Sequence, residues 1–333
     1  MVRMLKFGVS FVPDEGFVKI VEYSVRAEKA GLDYVFMSEH LKGGSIFVYL
    51  TAVAYNTKRV SLGPGITNPY LNHPIATGQM LASLNEVSNG RVVCGIGAGD
   101  KENLRKIGVS QYKPISAVRE TVEILRTVSS GETVNINGKV FRISNTRLHF
   151  FETRKYPVFI GAQGDKMLGL SGIIGDGVII NAGDANECKR AIEIARSAGE
   201  HAKRAMSDFV WAAATPFSIS EEKDDALKPL LPKVAVVVAG CNKPVLDRYG
   251  ISMEEAENVR EALKIGDYAK IAKSVTPQMI ESLSIAGKPD KCIEKISALA
   301  KVGVKLVVLS PPLGIGISHS LDLIEKKVLP HFR

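Results

Sequence analysis

Residues 60–74 read VSLGPGITNPYLNHP, and they mark a strand end with an unusual backbone composition. Val60 and Leu62 fall on one face, as they would in a buried strand. Residues 63–69 then contain two glycines, two prolines, a threonine and an asparagine, whereas an ordinary strand end needs only one or two turn residues. We therefore expect a close approach to the backbone, an unusual backbone shape, or both at this position.

Strands and helices alternate on both sides of this stretch. The predicted strands are apolar on both faces, as a covered parallel sheet requires. They are residues 5–10, 33–38, 60–65, 91–97, 157–162, 177–181, 209–217 and 304–310. Helical patterns follow most of them, at 17–31, 47–57, 75–88, 115–128, 166–174, 185–205 and 318–328. Eight such units predict an α/β protein with a (β/α)8 TIM-type barrel, and an open doubly wound sheet is the alternative.

A length of 333 residues alone would suggest about two domains, but α/β barrels run long as one domain, so we expect a single barrel domain over residues 1–333. Helical and loop insertions are expected at about 132–150 and 240–285. The first residues do not form a signal peptide, since Lys6 interrupts the apolar part and Pro13 ends it. The run 234–239 is far too short to cross a bilayer. These features predict a cytoplasmic protein that does not bind membranes.

Charge and cysteine content narrow the classes of partner. The net charge is +8, but lysine and arginine are spread evenly, which argues against nucleic acid and favours an anionic small molecule. Neither the cysteines nor the histidines have metal-ligand spacing, so we expect buried thiols in a reducing compartment and no metal. The cysteines are Cys94, Cys188, Cys241 and Cys292.

Two short loops at predicted strand ends indicate a ligand-binding site. Residues 97–100 and 161–164 lack bulky side chains and direct backbone amides toward the start of a helix, which suits an anionic group. In a barrel, both loops lie at the carboxyl ends of the strands, where TIM barrels carry their chemistry. The alternative is ordinary loop composition, because such loops are rich in glycine and asparagine in any case.

Several motifs lie in order at these strand ends and carry a resemblance to a known family. They are KFGVSFVP at 6–13, LGPGITNPY at 62–70, GIGAGDK at 95–101, GAQGDKML at 161–168, DGVIINA at 176–182, SIAGKPDKCIEK at 284–295 and KKVLP at 326–330. With them the chain resembles the archaeal methylenetetrahydromethanopterin reductases, which use the deazaflavin coenzyme F420. These enzymes belong to the bacterial-luciferase-like barrel superfamily. The resemblance covers nearly the whole chain.

The resemblance implies a cofactor site at the barrel mouth. A non-proline cis peptide would fall at Gly65–Ile66, with Ile66 as an apolar wall behind the cofactor ring; an ordinary type II turn is the alternative. The loop after the fifth strand would receive the cofactor phosphate, although the family usually has proline where this chain has Asp165. The implied cofactor-binding residues are His40, Gly65, Ile66, Thr67, Asn68, Gly97, Ala98, Gly99, Ala162, Gln163, Gly164, Lys166, Asn181 and Ala182.

The resemblance also implies hydride transfer between F420 and a methylene-tetrahydropterin. The family has glutamate as a candidate proton donor where this chain has Ser10, and a serine hydroxyl is too weak an acid to replace it. Glu39 and Asp100 are the nearest alternative acids by strand order; the alternatives are that the enzyme acts on a different substrate, or that position 10 is only structural. The implied catalytic positions are therefore Ser10, Glu39 and Asp100.

Two other functions remain open from the residues alone. One is an FMN-dependent monooxygenase or reductase of the same superfamily, and the other is a flavin-binding protein without turnover. The family forms homodimers or homotetramers, so the resemblance also implies a homo-oligomer.

Overall fold

The computed structural model describes residues 5–41 and 43–333. Within these residues the strands alternate with helices, as the sequence predicts, and two of them form a separate hairpin. The strands are β1 Lys6–Phe11, β2 Tyr34–Met37, β3 Ser61–Pro64, β4 Cys94–Ile96, β5 Val134–Asn137, β6 Arg142–Thr146, β7 Val158–Ala162, β8 Gly177–Asn181, β9 Val210–Ile219, β10 Ile285–Gly287 and β11 Leu306–Leu313.

Eight of these strands form a nearly closed parallel barrel. Their order is β3-β2-β1-β11-β9-β8-β7-β4, and β10 adds to β9 outside this path. Isolated parallel bridges between Leu62 and Val92 and between Thr67 and Ile96 join the two ends of the path. The predicted TIM-type barrel is therefore confirmed, and the open doubly wound sheet is wrong.

Helices follow the barrel strands and lie on their outer side, as the α/β pattern requires. They are α1 Phe17–Lys29, α2 Ile46–Asn56, α3 Pro74–Val87, α4 Lys101–Lys106, α5 Pro114–Ser129, α6 Asp165–Ile174, α7 Ala185–His201, α8 Lys223–Leu227, α9 Leu231–Gly240, α10 Lys243–Arg248, α11 Met253–Ile265, α12 Tyr268–Ser274, α13 Pro277–Leu283, α14 Pro289–Lys301 and α15 Ile317–Leu323. None of the helices in the described residues is both long and apolar enough to cross a membrane.

The structure differs from the predicted elements at several places. The short helix α4 and the three-residue strand β10 were not predicted, because both are too short to show a period. The last predicted helix, 318–328, is divided into α15 and a π-helical turn at Ile324–Val328. The predicted helix 185–205 ends at His201.

The chain divides into two compact units. The N-terminal unit comprises residues 8–179 and 193–211, and the C-terminal unit comprises the described residues up to 7, 180–192 and 212–333. In the C-terminal unit, helices α9 to α13 enclose an apolar core that includes Leu230, Val238 and Met279. The organisation as one domain with insertions at 132–150 and 240–285 stays a prediction.

A hairpin of β5 and β6 lies within the segment 132–150, in the N-terminal unit. One buried carboxylate holds its turn: Glu120 of α5 accepts hydrogen bonds from the backbone amides of Lys139, Val140 and Phe141 at 2.7–3.0 Å. Apolar side chains of the hairpin pack against the core of α5. The hairpin is thereby fixed beside the loop that precedes α3, where the ring of His73 packs edge-on against Phe141 at 5.6 Å.

All four cysteines are buried and free of disulfide bonds, as the sequence predicts. Burial raises the pKa of the Cys188 and Cys292 thiols to about 12. These thiols therefore act as small apolar core side chains.

Candidate functional site

The carboxyl ends of β2, β3, β4 and β7 form the candidate site, and all of them lie in the N-terminal unit. The peptide bond between Gly65 and Ile66 is cis, so that prediction is confirmed and the type II turn is wrong. The end of β2 holds this bulge. The Gly65 amide donates to the Met37 carbonyl at 2.8 Å, the Ser38 hydroxyl donates to the Gly65 carbonyl at 2.9 Å, and the Glu39 amide donates to the Ile66 carbonyl at 3.3 Å.

The side chain of Ile66 lies against three glycines of the neighbouring strands β4 and β7. A Cβ atom added at Gly97 would be 2.4 Å from Ile66 Cδ1, and one at Gly161 would be 2.9 Å from the same atom. At Gly95, an added Cβ would be 3.1 Å from Ile66 Cγ2. The missing side chains at these positions therefore make room for Ile66, which remains half-buried at the mouth of the barrel.

Glu39 is the half-buried carboxylate of the site, and it receives three hydrogen bonds. Its Oε2 accepts from the Thr67 hydroxyl at 2.7 Å and from Asn68 Nδ2 at 3.5 Å, and its Oε1 accepts from Asn72 Nδ2 at 3.3 Å. Burial raises the pKa of the Glu39 carboxyl, and the hydrogen bonds from these residues oppose the rise in part. A carboxyl group with a raised pKa can hold and donate a proton nearer to neutral pH.

Ser10 is buried at the end of β1, where only 3% of its surface is exposed. Its hydroxyl lies 3.1 Å from the Ser38 hydroxyl. Because Ser38 uses its proton on the Gly65 carbonyl, Ser10 is the donor of this pair. Ser10 therefore contributes to the support of the bulge and retains lone pairs that can accept a further hydrogen bond.

The side chain of Gln111 holds the loop after β4. Gln111 Nε2 donates to the carbonyls of Ala98 and Gly99 at 2.8 and 3.0 Å. Gly99 has a φ of +74°, and an added Cβ would lie 3.1 Å from Asn68. Asp100 is exposed and caps α4 by accepting from the Asn103 amide at 2.7 Å. The structure thus gives the predicted acid Asp100 a helix-capping contact, in contrast to the half-buried Glu39.

The loop after β7 leads into helix α6, and there is open space beside the N-cap residue of this helix. Gly164 is exposed at the N-cap, and an added Cβ there would meet no atom within 4 Å. Lys166 is exposed in the first turn, Gln163 is half-buried and Ala162 is buried. Asp165 also lies in this first turn and is exposed.

The last three predicted residues are His40, Asn181 and Ala182. His40 is exposed directly after Glu39. Asn181 and Ala182 belong to the C-terminal unit at the end of β8, where Asn181 is exposed and Ala182 is buried. Across residues 5–41 and 43–333, no three His, Cys, Asp or Glu side chains are grouped as metal ligands.

Sequence reasoning missed four residues that shape the site. Their roles depend on contacts with distant segments, and only the glycine, with its missing side chain in a strand, left a signal in the sequence. They are Ser38, Asn72, Gly95 and Gln111.

A nearly closed parallel barrel with polar and glycine-rich loops at the carboxyl ends of its strands is the architecture of the TIM-barrel class, in which enzymes carry their active sites at this end. The chain matches the family model of the luciferase-like monooxygenases over residues 5–306, and it belongs to that family.

Curated relatives cover the whole length. The chain is 38% identical to a 5,10-methylenetetrahydromethanopterin reductase from Archaeoglobus fulgidus, over 99% of this chain and 100% of the relative. It is 32% identical to the enzyme of that name from Methanolobus tindarius, over 98% and 100% of the two chains. Among solved structures, the coenzyme F420-dependent tetrahydromethanopterin reductase from Methanopyrus kandleri superimposes with a TM-score of 0.92 at 33% identity, over 99% and 100% of the chains.

Proposed function

We propose that the chain is an F420-dependent methylenetetrahydromethanopterin reductase, an oxidoreductase of one-carbon metabolism. The observation that carries this proposal is the full-length match, at 38% identity, to a curated reductase of that name. The matching solved reductase is F420-dependent and shares the fold along the whole chain.

The residues at the barrel mouth fit a flat deazaflavin with a phosphate-bearing tail. Ile66, seated on Gly97 and Gly161, offers an apolar wall to one face of a ring. The open N-cap at Gly164 directs backbone amides at an anion, and Lys166 lies within the same turn. We therefore propose that these loops hold F420, the ring beside Ile66 and the phosphate near Gly164.

When bound, reduced F420 supplies the hydride from C5 of its deazaflavin ring. The substrate's methylene carbon takes up the hydride and becomes a methyl group. Its bond to the second nitrogen breaks, and that nitrogen must gain a proton. The loops position the two planar groups and exclude water, so the protein's main contribution is orientation and electrostatics.

We propose Glu39 as the group that donates this proton. It is half-buried, its pKa is raised by burial, and it lies beside the cis bulge that supports the ring wall. Ser10 supports the bulge through Ser38, and the Asp100 carboxylate caps α4. After each turnover Glu39 regains a proton from solvent.

A parallel titration of the apo protein with F420, FMN and the nicotinamides tests the cofactor proposal. We expect micromolar or tighter binding of F420 and much weaker binding of the others. Turnover is then measured with reduced F420 and methylenetetrahydromethanopterin. Tight FMN binding without F420 binding would favour the FMN-dependent alternative, and F420 binding without turnover would favour a flavin-binding protein.

Replacing Gly164 with aspartate should raise the dissociation constant of F420 by about tenfold or more, because it places a negative charge where the phosphate is proposed. The open space at this position predicts that the variant folds normally. Gly164→Asn adds similar bulk without the charge and should bind nearly as well as the natural protein. Equal affinities for all three proteins would contradict this placement of the phosphate.

We propose a homo-oligomer in which helix α2 contributes to the interface. Its sequence, IFVYLTAVAYN, carries no charged residue, yet Val48 and Tyr55 are 59% and 77% exposed. An uncharged exposed helix face of this kind is typical of contacts between protein chains. The occupant that we propose is a second copy of this chain.

Tyr55→Glu should therefore shift the mass in solution toward the monomer, because it buries a charge in the proposed interface. Light scattering at micromolar concentration measures this change. Ile265→Glu is the control, since Ile265 is 60% exposed at the end of α11 and should leave the mass unchanged. A natural protein that is monomeric under these conditions would refute the proposal.

We also propose a cytoplasmic location. The four cysteines are free and buried, which fits a reducing compartment.

A further inference from the structure

Among the described residues, the segment between β3 and α3 supplies the hydrogen bonds to the Glu39 side chain. Thr67, Asn68 and Asn72 lie within six residues of one another and all donate to this one carboxyl group. The three partners are neutral, and their hydrogen bonds oppose the rise in the pKa of Glu39 that burial causes. His40 follows Glu39 in the chain and is exposed.

The donors are divided unequally between the two carboxyl oxygens. Oε2 accepts from the fully buried Thr67 hydroxyl at 2.7 Å and also from Asn68, whereas within residues 5–41 and 43–333 Oε1 accepts only from Asn72, at 3.3 Å. A protonated carboxyl places its hydrogen on the oxygen that is less engaged as an acceptor. The proton of Glu39 therefore belongs on Oε1, and Oε2 stays an acceptor.

Contacts fix the backbone on both sides of Asn72. Asn68 Oδ1 accepts from the amides of Tyr70 and Leu71 at 3.0 and 3.1 Å, which fixes the turn before it. His73 caps α3 by accepting from the Ile75 amide, and its ring packs against Phe141 of the hairpin. The Asn72 amide is thus presented to Glu39 by a rigid segment.

We infer that Asn72 is a positioning residue that orients Oε1 of Glu39 toward the substrate and stabilises the carboxylate left after proton transfer. This inference rests on the proposed function, because it assigns Glu39 the role of acid. Loss of the Asn72 amide removes its hydrogen bond to Oε1. Glu39 then becomes a weaker acid with a less defined direction of proton transfer.

The experiment compares the natural protein with Asn72→Leu, which keeps the approximate shape and removes the donor. The titration of Glu39 is followed in the apo protein by carbon NMR with carboxyl-labelled glutamate, using Glu39→Gln to assign the signal. We expect the midpoint in Asn72→Leu to move to higher pH than in the natural protein, because a hydrogen bond that favours the charged form is lost. Asn258→Leu, at an exposed position of helix α11, should leave the midpoint in place.

Activity provides the second readout. With saturating cofactor, kcat in Asn72→Leu should fall by about tenfold to a hundredfold while KM changes little, as expected for misplacement of a catalytic group. Asn72→Ala serves the same comparison if the leucine variant unfolds. An unmoved Glu39 midpoint, or a kcat equal to that of the natural protein, would overturn the inference.

The two readouts separate this inference from the proposed function. If the Glu39 midpoint shifts in Asn72→Leu but the natural protein does not reduce methylenetetrahydromethanopterin, the hydrogen bond from Asn72 to Glu39 is supported and the proposed function is refuted. If the natural protein is active and Asn72→Leu has no effect, the role of the hydrogen bond from Asn72 to Glu39 is refuted and the proposed function stands.

Discussion

Replacing Glu39 with glutamine should lower kcat for methylene-tetrahydropterin reduction by about 10²–10⁴-fold, the usual effect of losing a general acid. Glutamine keeps the size of the side chain and can still accept from Thr67, so the bulge should remain in place. The F420 dissociation constant should therefore change little. Steady-state kinetics and a cofactor titration measure the two quantities separately.

Asp100→Asn provides the comparison for this prediction, because Asp100 is the other carboxylate implied at the site. Its exposed side chain caps α4, so the variant should lose far less activity than Glu39→Gln. A large loss in Asp100→Asn with an unimpaired Glu39→Gln would assign the acid to Asp100. Full activity in both variants would remove both carboxylates from the proton-transfer step.

Glu39→Gln should also change how the free energy of unfolding depends on pH. Because burial raises the pKa of Glu39 in the folded protein above its ordinary value of 4.5, the protonated form favours folding. The stabilisation of the folded state by the protonated Glu39 carboxyl is fully present below pH 4.5, and it is lost as the pH rises through the folded-state pKa. Unfolding at several pH values should therefore show Glu39→Gln gaining stability relative to the natural protein across this window. A constant difference would contradict the raised pKa.

Replacing Gly97 with alanine should raise the F420 dissociation constant by about tenfold or more, a free-energy change of about 1.4 kcal/mol. The new Cβ would lie 2.4 Å from Ile66 Cδ1, so the side chain that is proposed to support the ring must move. Valine at position 66 lacks that atom, and Ile66→Val alone should cost only about 1 kcal/mol of stability. The new Cβ would also lie 3.1 Å from the Gly161 carbonyl oxygen, a milder contact that remains, so the double variant should regain part of the lost affinity.

Gly95→Ala supplies the matched control for this rescue. Its added Cβ would lie 2.5 Å from the Pro64 carbonyl oxygen, and this backbone contact persists whatever residue occupies position 66. Ile66→Val should therefore rescue Gly97→Ala and leave Gly95→Ala impaired. A double-mutant cycle on melting temperature and F420 affinity measures the coupling. Equal rescue of the two glycine variants, or rescue of neither, would contradict the packing described for Ile66.

Much of the fold was predictable because a covered parallel sheet leaves a strong pattern. Strands such as β8, read as GVIIN, are apolar on both faces and are bounded by turn residues, so their positions follow from composition alone. The elements that were missed are short: β10 has three residues and α4 has six. Such segments are set by pairing and capping with distant parts of the chain, which local periodicity does not record.

Less of the site was predictable. The cis bond at Gly65–Ile66 came from the resemblance, and the glycine-rich composition indicated only that something unusual occurs there. The hydrogen bond from Asn72 to Glu39 joins residues 33 positions apart, so no spacing rule shows it. Gly161 was noticed as part of a ligand loop, whereas the structure shows that its missing side chain makes room for Ile66.

The packing of Ile66 on its neighbouring glycines also constrains the order in which descendants of this sequence can accept change. A side chain at Gly97 or Gly161 displaces the end of the Ile66 side chain, so it costs less after residue 66 has become smaller, whereas a smaller residue 66 displaces nothing. Once a larger residue has filled the vacated space, the return of isoleucine to position 66 carries the same cost. Mutational paths through these positions are therefore easier in one order than in the other, and a library that varies them one at a time underestimates the combinations that fold well.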